Sequence, residues 1–178
     1  MSSWSHTLDA LLRERGGALF GYAYVLTGSA DTAEDLLQDA LVRTFRSGRG
    51  SRDLNAAHAY VKRAITSAFI DSGRRSSARP HTVTNEVLAE GAVPDHAAAS
   101  AEAADLHRAI LTLPPRERAC VVLRYLEDLP LASVAAELGL ALGTVKRYTA
   151  DGVAALRALN LNVDFETQET IPVTEGRQ

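Results

Sequence analysis

The 178 residues carry 22 Asp and Glu against 19 Lys and Arg, a net charge of −3, so the chain lacks the basic excess of a protein that grips nucleic acid unaided. Hydrophobic residues at 46% and charged residues at 23% are ordinary for a globular protein, and a single cysteine excludes an internal disulfide or a thiolate metal cluster. His6, His58, His81, His96 and His107 form no H-x-x-x-H pair, no apolar run reaches about 18 residues, and the start MSSWSHTLDALLRERGG lacks the basic, apolar, small-residue order of a secretory signal. No metal, cofactor or membrane insertion is expected, and the expected location is cytoplasmic.

Leu8, Leu11 and Leu12, then Leu19, Phe20 and Tyr22 to Leu26, recur at helical spacing, with a soft break expected at Gly16-Gly17. Gly28 ends that helix. Asp31 can cap the next, with Glu34 completing a capping-box-like pattern, and Leu36, Leu37, Ala40, Leu41 and Phe45 form its buried face. A third helix is predicted from Asn55 to Gly73, with Tyr60, Val61, Ile65, Phe69 and Ile70 apolar. Residues 41–80 hold nine cations (Arg43, Arg46, Arg49, Arg52, Lys62, Arg63, Arg74, Arg75, Arg79) against Asp53 and Asp71. This is a local basic block inside an acidic chain.

From Ser76 to Ala103 the periodicity dissolves into Pro, Gly and small residues, which reads as a linker. Helicity resumes near Asp105 with Leu106, Ile110 and Leu113 and stops at Pro114-Pro115. PPRERACVVLRYLEDL reads as another helix opened by proline, with Cys120 a small buried apolar residue in it. Pro130 introduces a further helix, and the stretch after Leu161 is a polar, acidic tail. No segment alternates with period two. The expected fold is all-α: two small helical domains joined by a flexible linker.

The stretch LASVAAELGLALGTVKRYT has helix-turn-helix spacing. Val134, Ala135 and Leu138 face inward, Gly139 turns the chain, and Leu140, Val145 and Tyr148 bury the following helix. That second helix offers Thr144, Lys146 and Arg147 near its N-terminus, the end that meets base edges and phosphates in a major groove. An ordinary helical hairpin has the same spacing.

The wider context favours DNA. LPPRERACVVLRYLEDLPLASVAAELGLALGTVKRY resembles the C-terminal DNA-binding region of the extracytoplasmic-function (ECF) sigma factors of bacterial RNA polymerase, the group IV branch of the sigma-70 family. YAYVLTGSADTAEDLLQDALVRTFRS and AYVKRAITSAFIDSGRR resemble the N-terminal region of the same family, whose SigE-like actinobacterial type is one candidate. The resemblance implies region 2 over 1–75, a linker over 76–103, region 4 over 104–160 and a disordered acidic tail over 161–178. It implies a promoter-specific initiation factor with no chemistry of its own, partnered by core polymerase (clamp coiled coil and flap), promoter DNA and an anti-sigma factor.

Residue by residue, the resemblance gives Asp35, Gln38, Asp39 and Arg43 to the polymerase clamp. It gives His58, Tyr60, Lys62, Arg63, Arg74 and Arg75 to recognition and melting of the minus-10 element, where a basic groove and a stacking platform suit single strands. Tyr60 stands where the family often has tryptophan, and a core role is equally open to it. Thr144, Lys146, Arg147, Tyr148 and Arg157 fall to the minus-35 duplex. The sequence departs from the family at Ala141, where many members have a capping serine, and at Ala150-Asp151-Gly152-Val153, where more cations are usual. Asp151 repels phosphate, and Gly152 costs a helix roughly 1 kcal/mol relative to alanine. Two alternatives therefore stay open: a stand-alone helix-turn-helix regulator, and a degenerate sigma-like protein that binds core without initiating.

Overall fold

A computed structural model describes residues 3–46, 53–77 and 101–159. Among these residues there are seven α-helices and no strand. Helices α1 (Ser3–Thr27), α2 (Ala30–Phe45) and α3 (Leu54–Ser77) pack on one another as a first unit. The break expected at Gly16-Gly17 does not occur. Leu11 and Leu19, on one face of α1, are both fully buried, and that packing carries the helix across the glycine pair.

Gly28 ends α1 in the left-handed region at φ 71°, its N–H reaching the Tyr24 carbonyl at 2.8 Å. The cap of α2 is Ser29 rather than Asp31: the Ser29 hydroxyl accepts from the Thr32 N–H at 3.4 Å. Asp31 instead lies in the first turn, where a carboxylate suits the helix dipole. The Asp53 carboxylate accepts from the Asn55 N–H at 2.8 Å and so opens α3, which buries Ala57, Val61, Ile65, Ala68 and Phe69. Tyr60 is not on that face: it is 64% exposed, which removes the core role left open for it. A 2.7 Å hydrogen bond between the Tyr22 and Thr66 hydroxyls joins α1 to α3 inside the core.

The second unit holds α4 (Ala101–Thr112), α5 (Pro115–Val121), α6 (Leu131–Leu138) and α7 (Leu142–Ala158). The long helix expected after Pro114 is divided: α5 passes into a π-helical turn over Val122–Leu126. Cys120 is fully buried there, and burial pushes its thiol pKa up to about 12, as befits an inert apolar residue. Gly139 sits at φ 62°, and the Leu140 N–H closes the turn on the Ala135 carbonyl at 3.0 Å. Val134 and Val145, from either side of the turn, are completely buried. Helix-turn-helix geometry follows.

Gly152 also needs a different account. An added Cβ there would lie 2.7 Å from Val121 Cγ2, so its missing side chain is what lets α7 approach α5. It is a packing residue of α7 rather than a weak point in it. One buried cluster runs through both units, from Leu11, Leu19 and Phe69 to Cys120, Leu123, Val134 and Val145. Of the expected linker, Ser76 and Ser77 close α3 and Ala101 to Ala103 open α4; residues 78–100, residue 160 and the expected tail over 161–178 lie outside the described residues.

Candidate nucleic-acid interface

Helix α2 turns its apolar stripe inward through Ala33, Leu36, Ala40 and Phe45, which leaves Asp35, Gln38, Asp39 and Arg43 together on the opposite, exposed face. Arg43 and Asp39 pair at 2.7 Å one turn apart, and Gln38 donates to Glu34 at 3.4 Å. Val42 lies beside them and is 60% exposed. Charge patterning singles out the polar members of this face; Val42 belongs to neither the predicted buried face nor the charged set, so the sequence reading missed it.

Helix α3 divides its candidate residues between two faces. Tyr60 and Arg63, three apart, are exposed. His58 and Lys62, four apart, are partly enclosed, and His58 titrates below its ordinary value because of burial first and the cations of Lys62 and Arg15 second. Lys62 pairs with Glu127 and lies 4.6 Å from the centre of the Tyr22 ring. Burial lowers the Lys62 pKa and raises that of nearby Glu137, and the two charges offset part of each other's shift. Arg74 and Arg75 fall on the last turns of α3; their side chains lie outside the described residues.

Helix α7 begins at Leu142 after Ala141, which has an extended backbone and offers no side-chain cap. The first turns bury Val145 and thereby turn Lys146 and Arg147 outward, with Thr144 half-buried. Arg157 is exposed at the far end of the same helix. Tyr148 is placed differently. Its hydroxyl accepts from Arg116 at 3.4 Å, the Arg147 guanidinium lies 5.2 Å from its ring centre, and the Arg116 hydrogen bond lowers its pKa. It lines a cavity of about 250 Å³ with Ile70, Gly73, Pro115 and Arg116, between α3 and α5. Lys146 and Arg147 therefore share the outward face, while Tyr148 looks toward the first unit.

The geometry provides an exposed acidic-polar face on α2, an exposed aromatic and cation on α3, and exposed cations on the second helix of a helix-turn-helix. Sequence comparisons give the family. A sigma-70 region 2 model matches residues 11–79 and a sigma-70 region 4 model matches residues 103–156. The chain is 34% identical over 149 residues to the RNA polymerase sigma-E factor of Streptomyces avermitilis, covering 84% of this chain and 82% of that protein. The chain belongs to the ECF RNA polymerase sigma factors.

It is also 30% identical to the ECF sigma factor SigM of Mycobacterium tuberculosis, covering 86% of this chain and 77% of SigM. Against the ECF sigma factor SigE of Mycolicibacterium smegmatis it is 34% identical over 96% of its own length and spans 66% of SigE, just under two thirds. Among solved structures, the fold is shared with the sigma factor RpoE crystallised with the anti-sigma factor NepR from Bartonella quintana, at TM-score 0.57 and 22% identity, covering 92% of this chain and 100% of that one. Membership makes the chain a transcription initiation factor that works with core RNA polymerase at promoter DNA. Among the described residues no helix is long and apolar enough to cross a membrane.

Proposed function

We propose that this ECF sigma factor binds core RNA polymerase through α2, opens the minus-10 element with α3 and reads the minus-35 duplex with α7, acting from the cytoplasm. Region 2 spans 1–75 and region 4 spans 104–160 in this reading, with 76–103 as the linker and 161–178 as an acidic tail. The observation that carries it is the ordered pair of sigma-70 matches, region 2 before region 4, coinciding with the two helical units. The clamp coiled coil takes Asp35, Gln38, Asp39 and Arg43, with Val42 as an apolar anchor among them, and the flap takes region 4.

Tyr60 offers a stacking platform to an unpaired base and Arg63 a phosphate contact beside it; His58, Lys62, Arg74 and Arg75 belong to the same element. Lys146 and Arg147 contact the upstream duplex, supported by Thr144 and Arg157, while Tyr148 positions α7 through Arg116. The polymerase supplies the electrostatic grip that a chain of net charge −3 lacks, and nucleotide addition is the work of the core, so the sigma factor itself catalyses nothing. An anti-sigma factor that covers the α2 face completes the set of partners.

Run-off transcription with purified core polymerase and a pool of genomic fragments tests the proposal. Discrete new starts that share two spaced elements support it. Core binding without any start favours the degenerate reading, for which exposed Asp151 and uncapped Ala141 are the motive. Indifference to core sinks both.

A further inference from the structure

The outward side of α7 is set by its packing. Val145, Thr149, Gly152, Val153 and Leu156 are its buried residues. At about 100° per residue, the side opposite them carries Arg147, Ala150, Asp151 and Ala154, all four exposed. These positions stand at i, i+3, i+4 and i+7, the interval at which a homeodomain helix lying in a major groove meets base edges. Gly152 holds that rotation, because its missing Cβ lets α7 close on Val121 of α5 and so turns its neighbour Asp151 away from the protein.

Asp151 is not consumed by contacts within the chain. Arg147, one turn before it, has its guanidinium 5.2 Å from the centre of the Tyr148 ring, and among the described residues no cation pairs with Asp151. A second carboxylate, Glu117 of α5, stands close by: burial first and the charge of Asp151 second raise its pKa, and Arg147 offsets only part of this. Two acids at one spot exclude a phosphate from it. Whatever a duplex presents there must be a hydrogen-bond donor.

The major groove narrows the choice. Guanine shows two acceptors and thymine an acceptor beside a methyl group, so both repel or ignore a carboxylate. Adenine sets its N6 donor next to the N7 acceptor, whereas cytosine shows the N4 donor alone. A carboxylate thus selects cytosine. Asp is short, and its reach depends on how closely the helix approaches the groove floor; Ala150 and Ala154, with one methyl each on the same side, hold nothing in the way.

We infer that Asp151 is a specificity-determining residue of α7, its carboxylate accepting a hydrogen bond from the N4 amino group of one cytosine in the upstream duplex. The inference rests on the reading of α7 as the helix that enters the major groove at the minus-35 element. It gives the departure from the family pattern at Ala150-Asp151-Gly152-Val153 a function: these residues exchange phosphate contacts for the reading of a base. Promoters served by this chain therefore carry a C·G pair at a fixed step of the upstream element.

The test uses core polymerase with the full chain, on promoters whose minus-10 element is fixed from a start found in the run-off pool and whose upstream element is randomised. Sequencing of the transcribed templates should show cytosine preferred by about fivefold or more at one upstream position with the wild type. Asp151→Ala should erase that preference and leave those at the other positions. Asp151→Asn should move it to adenine, since an amide both accepts from N6 and donates to N7. Asp151 is exposed, so both variants should melt as the wild type does.

A wild type that discriminates upstream bases without a cytosine preference would overturn the assignment and leave the reading of α7 standing. So would a uniform gain in transcription from every template on Asp151→Ala with base preferences unchanged, which marks a charge that merely repels phosphate. Indifference of the wild type to the whole upstream element would overturn the reading of α7 and the role of Asp151 with it.

Discussion

Replacing Gly152 with alanine tests the packing of α7 against α5 most directly, because two physical effects of opposite sign meet there. In an exposed helix interior, Gly→Ala stabilises by roughly 1 kcal/mol through the backbone entropy it removes. Here the new methyl would sit 2.7 Å from Val121 Cγ2, whereas carbon atoms rest about 3.5 to 4.0 Å apart, so a gap of about 1 Å must open. Val121 is β-branched and 2% exposed and cannot swing aside; Glu117 Cβ and Leu113 Cδ1, each 3.6 Å from the added atom, close the other directions. Overpacking of this kind costs about 1 to 3 kcal/mol, and the enclosed geometry places it in the upper part of that range.

The net expectation is a loss of ~1 to 2 kcal/mol, read as a fall of roughly 5 to 10 °C in the melting of a unit this size by circular dichroism. Val121→Ala in the same chain should recover part of the loss, with a coupling of about 1 kcal/mol or more between the two sites. A Gly152→Ala protein that melts higher than the wild type would refute the reasoning and return Gly152 to the status of a decayed helix position.

Three other outcomes are expected. Tyr60→Ala should leave the melting temperature within the range of a surface change yet slow open-complex formation by about 5- to 150-fold, the worth of one base stack, and Tyr60→Trp should retain the rate; potassium permanganate footprinting of the minus-10 strand measures it. Removing Lys146 or Arg147 should weaken upstream-element binding at every sequence tested and lower the slope of log K against log salt by about 1 for each phosphate no longer neutralised, with an unchanged slope counting against a phosphate role. His107, half-buried on α4 and 5.1 Å from the Tyr24 ring, has its pKa lowered by burial, and the backbone of Tyr24 and Val25 offsets only part of this. The unfolded chain therefore takes up its proton near the ordinary value of about 6.5 before the folded chain does. Stability should be full above that pH and decline as the pH falls through the folded-state value, and His107→Gln should flatten the decline in urea titrations at pH 5 to 7.5.

Within each unit the sequence is a good guide, because its signals are local there. Helical periodicity, Gly28 and Gly139 at helix ends, and prolines before α5 and α6 each act within a turn or two of where they stand. The errors are local as well. Ser29 took the cap from Asp31 because the cap is the residue at which the backbone turns extended, and Gly28 in the left-handed region sets that turn two residues before Asp31. Gly16-Gly17 stayed helical because burial on both sides of the pair outweighs a propensity cost of about 1 kcal/mol per glycine.

Contacts between the units are a different matter, and they explain why the candidate site was only partly legible. In RERACVVLRYLED the cations and carboxylates read as the solvated face of an amphipathic helix, and nothing within a few residues distinguishes Arg116, Arg118 or Glu127 from such a face. Their partners are distant: Arg118 meets Leu26 ninety-two positions away, and Arg116 meets Tyr148 thirty-two away. A charge that bonds to a backbone carbonyl has no complementary residue type for a sequence to advertise. The one hint was glycine. Gly73 and Gly152 both fall inside helices where they cost stability, and both prove to be places where a neighbouring segment comes too close for a Cβ. A costly glycine in mid-helix thus points to close packing rather than to decay, and at Gly73 the packed neighbour, Pro115, belongs to the other DNA-binding unit.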